Sequence, residues 1–382
     1  MIWDKIYPQL QIVVGTTIAC QSFLLSLPNQ SLGGIGMPEF QIAKSENSTT
    51  FWSNRRLCIN ETCVYSLLPT SYGVALVANS HQQHTFTHVQ SETELYDDDS
   101  EPFIATDIVG KGVGLVATRD ISKGEIVMAQ IPSLVVQASA HISLSEEERE
   151  LLYSAALETL PESAQREFDR QFGDNITDKI GKNGFTIYLN GERYIGCVPK
   201  MAQMNHDCRP NVHYEFNGMQ LTSRAVRRIP EGQELTDTYI RSLQPRVKRR
   251  RQLLKWGFTC TCTLCGATDD EVAASDRRIA VITQFIQDLA EKRETFDTGS
   301  RLVELVQEES LEAYLGLAYT QAALSYARFG DKQRTISYAR NAVEAITVES
   351  GADHTDALKM KRLAENPERC SDWARFRSSR GS

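Results

Sequence analysis

Four of the nine cysteines lie in two short stretches, and this pattern constrains the fold more than any other feature of the chain. The later stretch, FTCTCTLC, carries Cys260, Cys262 and Cys265, which are three closely spaced candidate thiolate ligands. Zinc in structural sites takes four tetrahedral ligands, so a fourth must come from elsewhere. Cys208, in the earlier stretch NHDCRPN, is the best candidate. The pattern therefore predicts a structural zinc site that joins two distant segments.

A second interpretation of these cysteines needs no metal, because the later three could be reduced thiols or form a disulfide. Two cysteines separated by one residue rarely bridge to each other without strain, and Gly266 follows the group as in other tight metal-binding turns. The spacing therefore favours zinc. A metal site of this kind also indicates a reducing compartment.

The N-terminal segment points in a different direction. No charged residue occurs from Ile6 to Pro38, and such a stretch is compatible with the apolar part of a signal peptide. Asp4 and several interrupting polar residues favour instead a buried or partner-docking segment. The first alternative would send the chain to the secretory pathway through residues 1–27, whereas the second leaves a nuclear or cytoplasmic protein. No other stretch is long and apolar enough to span a bilayer.

Length and charge limit the class of protein. With 382 residues the chain can hold two or three domains and bury a proper core. Its net charge of -8 argues against a protein that binds nucleic acid over its whole surface. We therefore predict no direct contact with nucleic acid.

Hydrophobic periodicity separates β-rich from helical parts of the chain. Residues 103–137 and 181–239 contain short Val- and Ile-rich runs separated by Gly and Pro, which predict strands. Ser145 with Glu148 three residues later predicts a capping box at the start of a helix. After Cys265 the period is helical, and small residues allow close helix packing of the tetratricopeptide type.

These patterns predict an α+β fold. We divide the chain into an apolar N-terminal segment (1–30), an extension with short strands (31–100), a β-rich core (101–240) with a helical insert at about 143–180, a metal-binding segment (241–268) and a helical, tetratricopeptide-like C-terminal domain (269–382).

The run GKGVGLVA (110–117) predicts a glycine-rich turn before a strand. The backbone of Lys111, Gly112, Val113 and Gly114 can approach a charged ligand closely, because the glycines carry no Cβ. A dinucleotide-binding loop would open a helix, so that interpretation is rejected. An ordinary hairpin turn without a ligand remains an alternative.

Four motifs, in order over about half the chain, resemble those of the SET-domain methyltransferases: GKGVGLVATRDISKGE, NHDCRPN, GQELTDTYI and FTCTCTLC. The TYI sequence, the NGFTI run (183–187) and the helical tail are similar to the SET–MYND branch and its fungal relatives. The chain departs from that branch because no Cys/His-rich MYND finger interrupts residues 126–180. The resemblance implies a β-rich SET core of the β-clip type, with a threaded, pseudo-knotted C-terminal segment and a post-SET zinc site.

The resemblance also implies S-adenosylmethionine as the methyl donor and a protein lysine as the acceptor. Asn205 and His206 would line the donor pocket, Phe258 would pack against the adenine, and Asn183 would add a contact. The donor-binding residues predicted in this way, together with the glycine-rich turn, are Lys111, Gly112, Val113, Gly114, Asn183, Asn205, His206, Tyr239 and Phe258.

Tyr239, in the run ELTDTYI, is the predicted catalytic residue. Methyl transfer from a sulfonium is an in-line displacement, so the enzyme must align the lone pair of a deprotonated amine. A phenol hydroxyl within hydrogen-bond range can orient that amine. Phe185 and Tyr188 are candidates for the walls of an acceptor channel, because aromatic faces suit an alkylammonium group.

The basic run RVKRRR (246–251) has three interpretations. Leu243, Val247 and Leu254 lie at helical spacing, which predicts a helix with these apolar residues underneath and a solvated basic side. A nuclear-import signal and a substrate-facing patch are the alternatives.

The sequence therefore predicts a methyltransferase that uses S-adenosylmethionine, with a protein lysine as acceptor. Two other functions stay open. One is a non-catalytic scaffold that keeps the fold and the zinc and binds a partner peptide on its helical C-terminal domain. The other is a methyltransferase acting on a small molecule or a secreted target.

Overall fold

The computed structural model describes residues 57–67, 73–80 and 101–376. The apolar segment at residues 1–30, with the candidate signal in residues 1–27, lies outside the described residues. Within the described ranges, none of the helices has the length and hydropathy needed to cross a membrane.

The first sheet contains six strands in the order β1-β2-β3-β7-β9-β8. These strands are β1 (Cys58–Ile59), β2 (Thr62–Leu67), β3 (Val74–Asn79), β7 (Leu134–Gln137), β8 (Gly184–Leu189) and β9 (Glu192–Cys197). β3 pairs in parallel with β7, so the short strands of the N-terminal extension continue the sheet of the β-rich core. A disulfide joins Cys58 and Cys63, which are register partners on β1 and β2. This pair differs from the reduced state expected of the cysteines.

Four helices cover one face of this sheet: α1 (Ala138–Ser143), α2 (Glu146–Leu157), α3 (Glu162–Asp169) and α4 (Ile176–Asn183). Ser145 and Glu148 form the predicted capping box at the start of α2. The buried side chains Leu152 and Phe168 pack against Val77 and Val136 of the sheet, so the insert and the sheet share one core.

Two smaller sheets carry the strands that lead to the functional site. The order in one is β10-β13-β5-β4, and in the other it is β11-β12-β6. Their strands are β4 (Phe103–Ile108), β5 (Gly112–Ala117), β6 (Ile126–Gln130), β10 (Asn205–His206), β11 (Val212–Asn217), β12 (Gln220–Ala225) and β13 (Glu234–Asp237). A second apolar core includes Leu115, Met128, Leu221 and Leu235 from these strands.

The rest of the described chain is helical. The helices are α5 (Arg246–Leu253), α6 (Thr263–Gly266), α7 (Asp269–Ala290), α8 (Thr298–Glu308), α9 (Leu315–Phe329), α10 (Lys332–Ser350) and α11 (Thr355–Glu365). Close packing depends on small residues, because a Cβ on Gly299 would lie 2.8 Å from the Ala322 Cα. The α+β class, with mixed sheets and a helical C-terminal region, is confirmed. Its tetratricopeptide-like character, the threaded connection and the domain boundaries stay predictions.

The interpretation of RVKRRR as a solvated helix with apolar residues underneath is wrong in its orientation. Val247 is 74% exposed and Leu254 is 60% exposed, whereas Arg249 is fully buried together with Leu253. The helix therefore turns one of its arginines, rather than these apolar side chains, toward the protein interior. The reason is the group of cysteines against which it packs.

Candidate active site and cysteine cluster

The stretches NHDCRPN and ELTDTYI lie side by side. β10 pairs in parallel with β13, so that Asn205 faces Thr236 and His206 faces Asp237. The buried Asn211 extends this pairing, because its Nδ2 donates to the Glu234 carbonyl (2.8 Å) and its Oδ1 accepts from the Thr236 backbone N–H (2.8 Å). A carboxamide thus replaces a strand partner after Pro210, and it fixes the loop that carries Cys208.

The structure brings Cys208 together with the three later cysteines. The four sulfur atoms lie within 4.8 Å of one another, and Cys208 Sγ is 3.6 Å from Cys265 Sγ and 4.0 Å from Cys260 Sγ. Four thiolates about 2.3 Å from a tetrahedral zinc ion would be about 3.8 Å apart. We call these residues the cysteine cluster. Its donor set and spacing fit one zinc ion with no position left for substrate.

Arg209 connects the cysteine cluster to the helical region. Its guanidinium donates to the Cys208 carbonyl (2.8 Å) and to both the carbonyl and the carboxylate of Glu309 (2.5 Å each). Glu309 also accepts from Ser275 (2.7 Å) and Arg278 (2.6 Å), and its side chain is 2% exposed. Breaking such a buried pair leaves an uncompensated charge. The helices therefore help to position the loop that carries Cys208.

His206 links the cysteine cluster to the candidate catalytic residue. Its Nδ1 accepts from the Tyr239 backbone N–H (3.1 Å), and its Nε2 lies 3.4 Å from Cys208 Sγ. Burial lowers the pKa of His206 to about 4, so the ring is neutral near pH 7. Because Nδ1 accepts, the hydrogen sits on Nε2 and points toward the sulfur. Both ring nitrogens of His206 are thus used in contacts within the protein. A ligand would have to contact the His206 backbone instead.

The Tyr239 hydroxyl donates to the Met204 carbonyl at 2.7 Å. Burial raises the pKa of Tyr239, and the negative charges of Asp237 and Glu234 raise it further. The phenol therefore stays neutral and cannot act as a base. Since its proton is held by a carbonyl, the free lone pairs of the oxygen can accept an N–H from an amine.

Aromatic rings surround Tyr239. The ring of Trp256 lies 5.3 Å from it and the ring of Phe258 lies 6.4 Å from it, measured between centroids. The Trp256 indole N–H donates to the Lys182 carbonyl (2.8 Å), which joins this wall to the end of α4. Flat apolar faces suit a planar base. Phe258 and Trp256 present such faces beside Tyr239, and the contact of Phe258 with an adenine stays a prediction.

We call residues 111–114 the glycine loop, which contacts the side chain of Asn205. The Asn205 Nδ2 donates to the Val113 carbonyl (3.2 Å) and to Glu234 Oε1 (2.9 Å), and Lys111 Nζ pairs with Glu234 Oε2 at 2.5 Å. Gly114 leaves no room for a side chain, since a Cβ there would lie 2.6 Å from Asn205 Nδ2. Gly112 has φ +78°, which favours glycine. Residues 112–114 belong to β5 and pair with residues 106–108 of β4, so this segment is one strand of the β4–β5 hairpin, with the Asn205 side chain beside it.

Asn183 lies at the end of α4, where its Nδ2 donates to the carbonyls of Phe172 and Lys179 (2.7 Å each). Both hydrogens of its amide are thus used within the protein, and a donor contact would need its carboxamide oxygen.

The structure does not bring Phe185 and Tyr188 together. They are three positions apart on β8, so they point to opposite faces of the strand. Phe185 packs edge-on against Tyr214 at 5.1 Å, whereas Tyr188 is 49% exposed. A single channel cannot use both side chains as walls in this arrangement.

Five further residues take part in the site but were not singled out from the sequence. Glu234 and Asn211 lie within quoted motifs, and their polar side chains between strands were the available signal. For Trp256 the available signal was its position, two residues before Phe258. Met204 contributes only a backbone carbonyl, and Arg249 is one of several basic residues in a row. The sequence therefore does not mark either residue as part of the site.

Comparisons with known proteins agree with this arrangement. Residues 112–240 match the family model of the SET domain. The chain is 28% identical over 290 residues to histone-lysine N-methyltransferase set5 of Schizosaccharomyces pombe, and the match covers 72% of this chain and 85% of that protein.

Two mouse proteins match over shorter regions. Histone-lysine N-methyltransferase SMYD3 is 40% identical over 97 residues, 24% of this chain and 22% of that protein. Histone-lysine N-methyltransferase Smyd1 is 33% identical over 177 residues, 38% of this chain and 36% of that protein. The chain therefore spans less than half of each of these two proteins, but most of the yeast protein.

Proposed function

Because this chain belongs to the SET-domain methyltransferases, we propose that it transfers a methyl group from S-adenosylmethionine to the side-chain amine of a protein lysine. The names of its relatives as histone-lysine methyltransferases support this acceptor. The observation that carries the proposal is the Tyr239 hydroxyl, which is neutral, has its proton held by Met204, and lies beside the aromatic wall and the loop of Asn205.

The residues around Tyr239 fit the donor that the family uses. Gly112 and Gly114 carry no side chain, nothing lies within 4 Å of a Cβ built on Gly112, and Val113 between them is exposed. The faces of Phe258 and Trp256 suit an adenine ring. When bound, S-adenosylmethionine supplies a methyl group on a positively charged sulfur.

Tyr239 acts by orientation. Its oxygen accepts one N–H of the lysine amine, which turns the nitrogen lone pair away from the phenol and restricts the amine to a reactive direction. The hydrogen bond from Tyr239 to the Met204 carbonyl fixes the position of that oxygen. The phenol is neutral, so the lysine must lose its proton by another route before reaction.

Zinc in the cysteine cluster would have a structural role. It would hold Cys208, and hence the adjacent Asn205 and His206, against the later segment that carries Phe258. Because every ligand is a cysteine, the chemistry belongs to Tyr239 and its neighbours.

The test compares wild-type protein with Tyr239→Phe in an assay with isotope-labelled S-adenosylmethionine, candidate histones and total cell extract. We expect turnover to fall by about 10²-fold or more, because the oriented hydroxyl is lost. The melting temperature should change little, since one hydrogen bond contributes about 1 kcal/mol.

Tyr153→Phe is the matched control, because that tyrosine is also buried and hydrogen-bonded, to His141 at 2.8 Å, but lies in the core of the six-stranded sheet. It should keep wild-type turnover. Equal turnover of Tyr239→Phe and wild type would remove the catalytic assignment.

The same assay addresses the other functions. Label recovered in a small molecule rather than in protein would favour a metabolite acceptor, and label in secreted protein would favour a secreted target. Absence of heat on titration with S-adenosylmethionine would favour a scaffold. A partner peptide on the helical region and a nuclear or cytoplasmic location stay predictions.

A further inference from the structure

Arg249 is a buried cation beside the cysteine cluster. It lies on α5, and its side chain is 0% exposed. A charge removed from water is costly unless an opposite charge or hydrogen bonds compensate it. The contacts of this guanidinium should therefore show which negatively charged group compensates its charge.

The guanidinium is oriented toward sulfur. Its Nη1 donates to the Gln244 carbonyl, and its Nη2 lies 3.8 Å from Cys265 Sγ. The nearest carboxylate is Asp276, 3.8 Å from Nη1 and 25% exposed, so it compensates the charge only in part. The next residue on the helix, Arg250, donates to the Cys265 carbonyl at 2.8 Å. α5 therefore holds both the sulfur and the backbone of Cys265.

Two other cysteines of the cluster have N–H donors, but neither donor is charged. The His206 Nε2 is 3.4 Å from Cys208 Sγ, and the Cys262 backbone N–H donates to Cys260 Sγ at 3.5 Å. Arg249 is thus the cationic donor among these three contacts. This distinction matters because hydrogen bonds to a ligand and full charges near it affect a metal site differently.

The charge of the cluster explains the need for a cation. Four thiolates and one divalent ion leave two negative charges in a site where Cys208 and Cys265 are completely buried. Negative charge that is removed from water is costly unless a positive charge or hydrogen bonds compensate it. One guanidinium against Cys265 halves that charge.

We propose that Arg249 is a positioning residue that retains zinc by compensating the charge of the cysteine cluster through Cys265. This inference rests on the zinc site of the proposed function. It assigns one arginine of RVKRRR to the metal site and leaves its neighbours Lys248 and Arg251 on the surface.

The experiment compares Arg249→Met with Arg251→Met in the full chain. Both changes remove one positive charge from α5 and keep a long side chain, but Arg251 is exposed. The readouts are zinc per chain after purification and the rate of zinc transfer to a chromogenic chelator. We expect zinc affinity to fall by about 10–100-fold in Arg249→Met, as for other residues that contact metal ligands. Arg251→Met should match wild type.

Cobalt substitution distinguishes charge compensation by Arg249 from a role of its side chain in packing alone. Loss of an N–H donor and a positive charge from Cys265 should shift the sulfur-to-cobalt charge-transfer band in Arg249→Met, whereas a packing defect would lower the melting temperature and leave the band in place. Arg249→Lys keeps the charge and should restore most of the retention. If Arg249→Met does not fold, Arg249→Lys and Arg249→Gln carry the same comparison.

A folded Arg249→Met protein with the wild-type release rate and cobalt band would overturn the inference. Failure of the proposed function can be distinguished from failure of this inference. Changed zinc release in a protein without methyl transfer leaves the inference standing, and methyl transfer by a wild-type chain that holds no zinc removes the inference alone.

Discussion

The cysteine cluster contacts His206 and the glycine loop contacts Asn205, the two residues of β10, and these two regions are built in opposite ways. Cys208 is completely buried, and its sulfur and that of Cys265 are contacted by N–H donors. In the glycine loop, Val113 is 51% exposed and its carbonyl accepts from Asn205. The cysteine cluster is fixed by buried contacts, whereas the glycine loop is partly exposed.

The difference separates two kinds of residue that sequence motifs group together. Residues of the cysteine cluster should control folding and metal content, because many contacts depend on each of them. Residues of the glycine loop should control donor affinity, because Gly112 leaves open space and Gly114 lets the Asn205 side chain approach β5.

Cys208→Ala should have the largest effect. Loss of one ligand should abolish stoichiometric zinc and lower the free energy of unfolding by about 4 kcal/mol or more, because metal loss is among the few single changes with effects this large. Metal analysis and chemical denaturation measure both quantities.

Cys197→Ala is the matched control, since Cys197 is also a completely buried, free thiol but lies on β9. It should keep its zinc and lose only about 1 kcal/mol. A Cys208→Ala protein with full zinc content would show that the later cysteines bind metal without it.

Gly114→Ala should have an intermediate effect of a different kind. The new Cβ would lie 2.6 Å from Asn205 Nδ2 and 2.7 Å from Ile108 Cγ1, so Asn205 must leave its hydrogen bonds. We expect a stability loss of about 1–3 kcal/mol, unchanged zinc, and S-adenosylmethionine affinity lowered by about tenfold or more, which is about 1.4 kcal/mol.

Gly181→Ala is the control for this change, because no atom lies within 4 Å of the new Cβ. Its helical position in α4 predicts a small gain in stability. Calorimetry that finds equal donor affinity in both variants would argue against a role of the glycine loop in binding.

The smallest effect should come from a contact remote from both sides. His354 Nε2 lies 2.9 Å from Glu215 Oε1, between the helical region and β11. The hydrogen bond to Glu215 raises the pKa of His354, although burial opposes this. A raised pKa means that the stabilisation is complete below about 6.5, the unfolded value, and is lost as pH rises through the folded value.

At pH 5.5 wild type should therefore melt at a higher temperature than His354→Gln, and its free energy of unfolding should be larger by no more than about 1 kcal/mol. This difference in stability should shrink at pH 8.5. The comparison with the variant is needed because burial also raises the pKa of Glu349 to about 7, which lowers the stability of both proteins as pH rises. A difference that grows with pH would contradict the assigned direction.

The sequence predicted the cysteine cluster well because coordination chemistry limits it. Three closely spaced thiols require a fourth ligand, and Cys208 lies 3.6 Å from Cys265 in the structure. Local rules also sufficed for the capping box of Ser145, whose contacts span three residues. Such features depend on few atoms and short distances along the chain.

The orientation of α5 could not be predicted in this way. Helical periodicity assumes that apolar residues point inward, and it placed Val247 and Leu254 underneath. The buried sulfurs reverse that rule. The positive charge of Arg249 is compensated beside them, whereas the apolar side chain of Val247 would compensate no charge there. A pattern within one segment cannot reveal the charge of the surface against which it packs.

The roles of Glu234 and Trp256 depend on contacts between distant segments. Glu234 joins Lys111 to Asn205, and Trp256 joins Tyr239 to the end of α4. Nothing near either residue in the sequence indicates these partners. Phe185 and Tyr188 are a different case, because their odd spacing already places them on opposite faces of a regular strand.

The most direct test of the account is calorimetric titration of S-adenosylmethionine into the full chain with and without zinc. If the cysteine cluster keeps Asn205 and Phe258 around one pocket, the zinc-loaded protein should bind S-adenosylmethionine saturably. The affinity should be at least about tenfold weaker after the metal is removed by a chelator. Equal affinity in both forms, or no binding heat in the zinc-loaded form, would contradict this arrangement.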